Sequence, residues 1–133
     1  MAICTYSLKK ERNKQLSKNF KLYEFACKDG SDKVVLNCEL VELLQKIRDY
    51  FGKPVIINSA YRTTTYNKKI GGVSSSQHLI GYAADIVIKG MKAKDIAVYI
   101  EKLIPNTGGI GIYMTKNFVH VDVRENKSRW TEK

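Results

Sequence analysis

The stretch Phe118-Val-His-Val-Asp-Val-Arg124 constrains this chain more than any other. Side chains alternate along a strand, so Val119, Val121 and Val123 share one face, and Phe118, His120, Asp122 and Arg124 share the other. A strand of this kind must lay its valines on an apolar core while the opposite face holds an imidazole, a carboxylate and a guanidinium. The simplest way to meet both demands is a sheet covered by helices on one side and open to a cleft on the other. His120 and Asp122 would then stand about 7 Å apart at their Cα atoms, both aimed at the cleft.

A second segment makes the same demand. Ser76-Gln-His78-Leu-Ile-Gly81-Tyr-Ala83-Ala-Asp85 ends in a strand pattern with Ala84, Ile86 and Ile88 on one face and Asp85 on the other, beside Ala83 and Val87. A carboxylate in such apolar surroundings is costly unless charged partners or a metal satisfy it. The chain has two histidines, His78 and His120, and each lies close to a carboxylate. Taken singly, a buried Asp is usually a hydrogen-bonded structural residue, and a lone His is usually not a ligand. Taken together, two imidazoles and a carboxylate from separate segments can build a three-ligand metal site with an open fourth position, which suits a hydrolase.

Around these segments the periodicity predicts two long helices. Leu40, Leu43, Leu44, Ile47 and Phe51 recur at helical spacing over 38–51, with Asn37 as N-cap and Gly52 as the stop. Ile96, Ile100, Leu103 and Ile104 mark a second helix over 92–104, ended by Pro105. Strands are expected at 55–58, 83–88, 110–113 and 118–124, a short helix from Thr63 or Thr64 through Lys69, and a tail from Glu125. Residues 1–18 are polar and basic and read as an arm or a loose first strand. The result is a single α+β domain, an antiparallel sheet with helices packed on one face.

Composition limits the alternatives. The 133 residues are the size of one domain, and 44% hydrophobic content is ordinary for a globular chain. No apolar run reaches the ~18 residues that would span a bilayer, and the first ten residues lack the apolar stretch of a secretory signal. Synthesis in the cytoplasm without a leader is therefore expected. Cys4, Cys27 and Cys38 are odd in number and lack metal-motif spacing, so they read as free thiols. The net charge of +10, densest over Lys9, Lys10, Arg12, Lys14, Lys18 and Lys21, suggests an anionic partner. A phosphate-rich bacterial wall fits. Nucleic acid does not, because no helix-turn-helix, zinc finger or aromatic RNA-binding signature accompanies the charge.

The pattern S-x-H-x-x-G-x-A-x-D from Ser76 to Asp85 resembles the signature of the zinc D-Ala-D-Ala carboxypeptidases and related phage endolysins, within the lysostaphin/hedgehog-like metallopeptidases. Ile57-Asn-Ser-Ala-Tyr-Arg62-Thr resembles that family's S-G-Y-R-[ST] segment, with Ala60 in place of Gly. Gly108-Gly-Ile-Gly-Ile-Tyr113, Phe118 to Arg124 and Trp130 resemble its H-x-D branch. The resemblance covers roughly residues 16–130. It implies a zinc peptidase domain over 19–133 that follows the basic arm, with Zn2+ held by His78, Asp85 and His120. It also implies that Arg62 holds a substrate oxygen near the metal, with Ser76 supporting the site by hydrogen bonding and Tyr61 and Tyr113 lining the cleft.

The implied activity is hydrolysis of peptidoglycan stem peptides beside a D-amino acid, as a carboxypeptidase or an endolysin-type endopeptidase. The setting would be the cell wall, reached after release or as part of a phage or prophage. One departure leaves a gap. Relatives with E-x-x-H or H-x-H carry a catalytic group at positions that are Asn117 and Phe118 here. Asp122 remains as a candidate, either as the base that takes the water's proton or as a carboxylate that holds a ligand histidine. The alternative is an inactive wall-binding or phage structural module of the same fold.

Overall fold

The computed structural model describes residues 3–133. Its N-terminal part begins with β1 (Ile3–Ser7) and the one-turn helix α1 (Leu8–Glu11). A small hairpin follows, β2 (Gln15–Ser17) and β3 (Phe20–Lys21), then a 3-10 turn at Leu22–Phe25 and β4 (Lys33–Asn37). β4 returns antiparallel to β1, pairing Ile3 with Asn37 and Ser7 with Lys33. The segment expected as an arm or loose first strand is thus a paired strand, and Met1 and Ala2 lie outside the described residues. Ser7 and Asp32 tie this corner together: the Ser7 hydroxyl donates to the Asp32 carboxylate at 2.8 Å, and the Lys9 N–H donates to it at 2.6 Å. Leu8, Phe20, Leu22 and Phe25 are buried beneath it. β1, Ile-Cys-Thr-Tyr-Ser, carries no clear apolar alternation, so periodicity could not reveal its pairing.

Asn37 ends β4 and starts α2 (Cys38–Phe51), its side chain accepting the Glu39 N–H at 2.8 Å. The helix buries Leu40, Val41, Leu43, Leu44 and Ile47 along one stripe and stops at Gly52, which adopts the left-handed conformation. Each such leucine or isoleucine gains about 1.5–3 kcal/mol on leaving water. β5 (Ile56–Ser59) follows, then α3 (Thr64–Lys69), capped by Thr63, a 3-10 turn at Gln77–Ile80, and β6 (Ala83–Val87). The second long helix, α4 (Ala93–Leu103), buries Ala93, Ile96, Ala97 and Ile100. β7 (Gly109–Tyr113), β8 (Phe118–Asp122) and β9 (Ser128–Glu132) complete the chain.

The main sheet has five strands in the order β5-β6-β8-β7-β9. The valine alternation works as expected. Val119 and Val121 are fully buried and pair with Ile86 and Ala84 on β6 and with Ile112 and Ile110 on β7. α4 packs on β7 and β8, and α2 packs on α4, so this face is the core. The fold is α+β, with a further difference from expectation: the residues read as a tail form β9, which pairs parallel to β7. β9 is an edge strand, Ser-Arg-Trp-Thr-Glu, with one large apolar residue, so hydrophobic alternation could not announce it. No described helix is long and apolar enough to cross a membrane.

Candidate metal centre

Strand register places the chemistry in one line. Ser59 on β5 pairs with Asp85 on β6, Asp85 with His120 on β8, His120 with Gly111 on β7, and Gly111 with Trp130 on β9. Paired residues point to the same side of a sheet, so these five positions form a row across the face opposite the core. His78 joins from above the sheet, on the 3-10 turn. Ser76 caps that turn by accepting the His78 N–H at 3.2 Å, and the Arg62 N–H donates to the His78 carbonyl at 3.0 Å.

The second nitrogen of each ring fixes its tautomer. His78 Nδ1 is 2.7 Å from the Ala60 carbonyl, which can only accept, so that nitrogen carries the hydrogen and Nε2 keeps its lone pair. His120 Nε2 is 2.7 Å from the Asp122 carboxylate, so the neutral ring keeps its lone pair on Nδ1. Both free nitrogens face one atom, Asp85 Oδ1, at 3.2 Å from His78 and 3.1 Å from His120. Three lone-pair atoms therefore meet with no hydrogen between them, all within 4.8 Å of one another. Such a cluster calls for a cation. Zinc bonds to nitrogen and oxygen of about 2.0–2.1 Å would set tetrahedral edges near 3.3 Å, so two N ligands and one O ligand at these separations fit Zn2+. All three residues are at least nine-tenths buried.

The local electrostatics have the same origin. Burial opposes ionisation of Asp85, but the adjoining imidazoles of His120 and then His78 outweigh it and hold its pKa well below the usual carboxylate range. Burial likewise disfavours the imidazolium of His120, yet Asp122 and Asp85 on its two sides raise its pKa above the ordinary value.

Residues 17–122 match the family model described as Peptidase M15. The chain belongs to the Peptidase M15 family. Over 44 residues, 32% of this chain and 17% of the relative, it is 43% identical to the zinc D-Ala-D-Ala carboxypeptidase of Streptomyces albus G. Over 90 residues, 62% of this chain and 48% of the relative, it is 32% identical to the peptidoglycan L,D-endopeptidase MepK of Escherichia coli K12. The chain thus spans less than half the length of either relative. The peptidase family and a relative named as a zinc carboxypeptidase agree with the enzyme class expected from the sequence, a zinc metallopeptidase, and with Zn2+ as its metal.

The rest of this M15 site surrounds the ligand cluster with a cleft of about 530 Å³. Arg62 lines it and is held by three partners. Its Nε donates to Ser59 Oγ at 3.1 Å, one terminal nitrogen to Asn67 Oδ1 at 3.1 Å and the other to Asp85 Oδ2 at 3.3 Å. Asn67, buried and missed by the sequence reading, also donates to the Val73 carbonyl at 2.9 Å and so ties the Gly71-Gly72-Val73 loop to Arg62. Tyr113 lines the cleft, stacked on Phe118 with centroids 4.3 Å apart. Tyr61 does not line it. Its side chain lies in the core cluster, because the turn after β5 points Arg62 at the site and the residue before it inward.

Asp122 is fully buried and does not line the cleft. Its Oδ1 accepts from the Gly109 N–H at 2.9 Å, the Arg124 N–H at 3.1 Å and Arg124 Nε at 2.8 Å. Its Oδ2 accepts from His120 and, at 2.7 Å, from the Arg124 guanidinium. A side chain at Gly109 would collide with this carboxylate. Asn117 is turned away from the site as well. It adopts φ 55°, accepts the Ala93 N–H at 2.7 Å and donates to the Met91 carbonyl at 3.1 Å, thereby capping α4. Trp130 is the other residue whose position the sequence did not reveal; its ring lies 5.0 Å from that of His120 and 5.6 Å from the Arg124 guanidinium carbon. Parallel pairing of β9 brings it there, and no local signal encodes that pairing.

Proposed function

We propose that this domain is a zinc-dependent peptidase that hydrolyses peptidoglycan stem peptides at a bond beside a D-amino acid. The observation that carries the reading is the meeting of three lone-pair atoms from His78, Asp85 and His120 at the floor of a cleft. Zinc, when bound, supplies the Lewis acidity that activates water and polarises a peptide carbonyl.

The chain's own residues do the remaining work. Ala60 and Asp122 hold the two rings in the tautomers that turn a lone pair toward the metal position. Arg62 spends three of its five N–H groups on Ser59, Asn67 and Asp85, leaving donors for a substrate carbonyl or carboxylate. Asp122, with both oxygens occupied and no exposure, acts as the carboxylate that orients His120 and not as the base. Trp130, Tyr113 and Phe118 form the apolar wall. The excess of positive charge draws the domain toward an anionic wall, an attraction that added salt weakens.

The test is digestion of purified muropeptides by zinc-loaded and chelator-stripped protein, with products identified by mass. Zinc-dependent release of fragments cut beside a D-residue supports the reading, and the fragment released separates carboxypeptidase from endopeptidase. A second reading, a wall-binding or phage structural module without catalysis, draws on Asn117 and Phe118 standing where other branches carry a catalytic group. Stoichiometric zinc and wall binding with no cleavage would favour it.

A further inference from the structure

The reading above leaves one task without a residue: taking the proton of the attacking water. Asp122 is fully buried with both oxygens bonded, Asn117 caps α4, and Phe118 has no titratable group. Among the described residues that line the cleft, two carry carboxylates, Asp85 and Glu132. Asp85 belongs to the ligand cluster.

Glu132 reaches the cleft through register. It pairs with Tyr113 and lies two residues beyond Trp130, so it projects from the same face of β9. Its backbone is anchored, the Met114 N–H donating to its carbonyl at 2.8 Å, while its side chain is exposed to water. Tyr113 links it to the ligand cluster. The Tyr113 hydroxyl accepts from Trp130 Nε1 at 3.1 Å, and Tyr113 is the register partner of Glu132 across β7 and β9. Burial first, opposed by the Trp130 N–H and then assisted by the Glu132 and Asp85 carboxylates, raises the Tyr113 pKa. The phenol thus stays protonated beside the rim carboxylate.

We propose that Glu132 is the proton acceptor for the attacking water, placed at the cleft by the pairing of β9 with Tyr113 on β7; this rests on the hydrolase reading above. The step balances. The oxygen of a cleft water bonds to the peptide carbonyl carbon, and one of its protons passes to the Glu132 carboxylate. The C–N bond then breaks, its electron pair goes to nitrogen, and Glu132 returns the proton to that amine. The new acid loses its remaining proton to solvent, and Glu132 ends as it began.

The experiment compares zinc-loaded wild type, Glu132→Gln, Glu132→Asp and Tyr113→Phe on purified muropeptides. Zinc content is read in parallel. A general base contributes ~10²–10⁴-fold. Glu132→Gln should therefore lower kcat by about 100-fold or more, with KM and bound zinc near wild type. Glu132→Asp should restore part of the rate, and Tyr113→Phe should lower kcat while leaving bound zinc near wild type. Unchanged kcat in Glu132→Gln, or loss of zinc in step with its activity, overturns the assignment while the hydrolase reading stands. A wild type that binds zinc and cleaves nothing overturns both.

Discussion

Trp130 rests against His120 because the residue between them in the sheet has no side chain. Gly111 pairs with both, and a Cβ there would overlap the Trp130 ring. Gly111→Ala should push the indole off His120 at a cost of about 1–3 kcal/mol, the usual size for overpacking. Denaturant unfolding gives the loss, and a changed Trp130 emission in the folded state locates it. A variant with wild-type stability and emission would mean that the ring is not held there.

His120→Ala should abolish zinc retention while the far-ultraviolet circular dichroism stays that of a folded protein. Asp122→Asn should keep the fold and weaken zinc about 10–100-fold, as loss of a ligand-orienting carboxylate does. Metal content after dialysis against a graded chelator series measures both. Equal zinc affinity in wild type and Asp122→Asn would count against the orienting role.

Asp122 should also shape stability toward acid. Burial opposes its ionisation, but hydrogen bonds from His120 and then Arg124 hold its folded pKa below the usual carboxylate range. A depressed folded pKa adds stability that is present above the unfolded value of about 3.9 and is lost as pH falls from there toward the folded value. Urea unfolding in acid should therefore show a steeper loss for wild type than for Asp122→Asn, although the variant is the weaker protein at neutral pH.

Zinc affinity should fall in acid for a related reason. A protonated imidazole cannot ligate, and the His120 pKa is raised by Asp122 and Asp85 against the opposing effect of burial. The apparent zinc affinity should thus begin to drop as pH descends through a point above the ordinary histidine value of about 6.5. Zinc titrations at a series of pH values test this, and a drop that begins only well below that value would contradict it.

Asn117→Ala should separate capping from catalysis. Loss of its bonds to Ala93 and Met91 should cost about 0.5–2 kcal/mol, the range for a helix cap. Its kcat should be unchanged, because the side chain faces α4. A large fall in kcat at wild-type stability would restore a catalytic role to this position.

Cys4 and Cys38 present a different opportunity. Their sulfurs lie 3.7 Å apart across β1 and the start of α2, and both residues are partly exposed. Oxidised glutathione should remove two of the three thiols and stabilise the monomer by about 2–4 kcal/mol. Thiol counting and thermal melts of wild type and Cys4→Ser check this; three persisting thiols would refute it.

Much of this arrangement was legible in the sequence wherever one local period carried the information. The valines of β8 and the leucine stripe of α2 each declare a buried face, and His78, Asp85 and His120 stand out as polar groups in apolar surroundings. What stayed hidden depends on partners distant in the chain. The burial of Asp122 needs the Gly109 N–H from β7, the place of Trp130 needs parallel pairing with the same strand, and the use of Asn117 needs the free end of α4. The pairing of β1 with β4 likewise joins segments about thirty residues apart, across a helix and a hairpin that no local period spans.

The line from Ser59 through Asp85, His120 and Gly111 to Trp130 makes the centre digital in its tolerance. Sliding β8 by one position would aim valines at the cleft and bury the imidazole, and sliding it by two would present Phe118 or Asp122 in its stead. Insertions and deletions are therefore admissible between strands but not within them. A library that varies loop length at residues 125–127 would explore specificity without disassembling the centre.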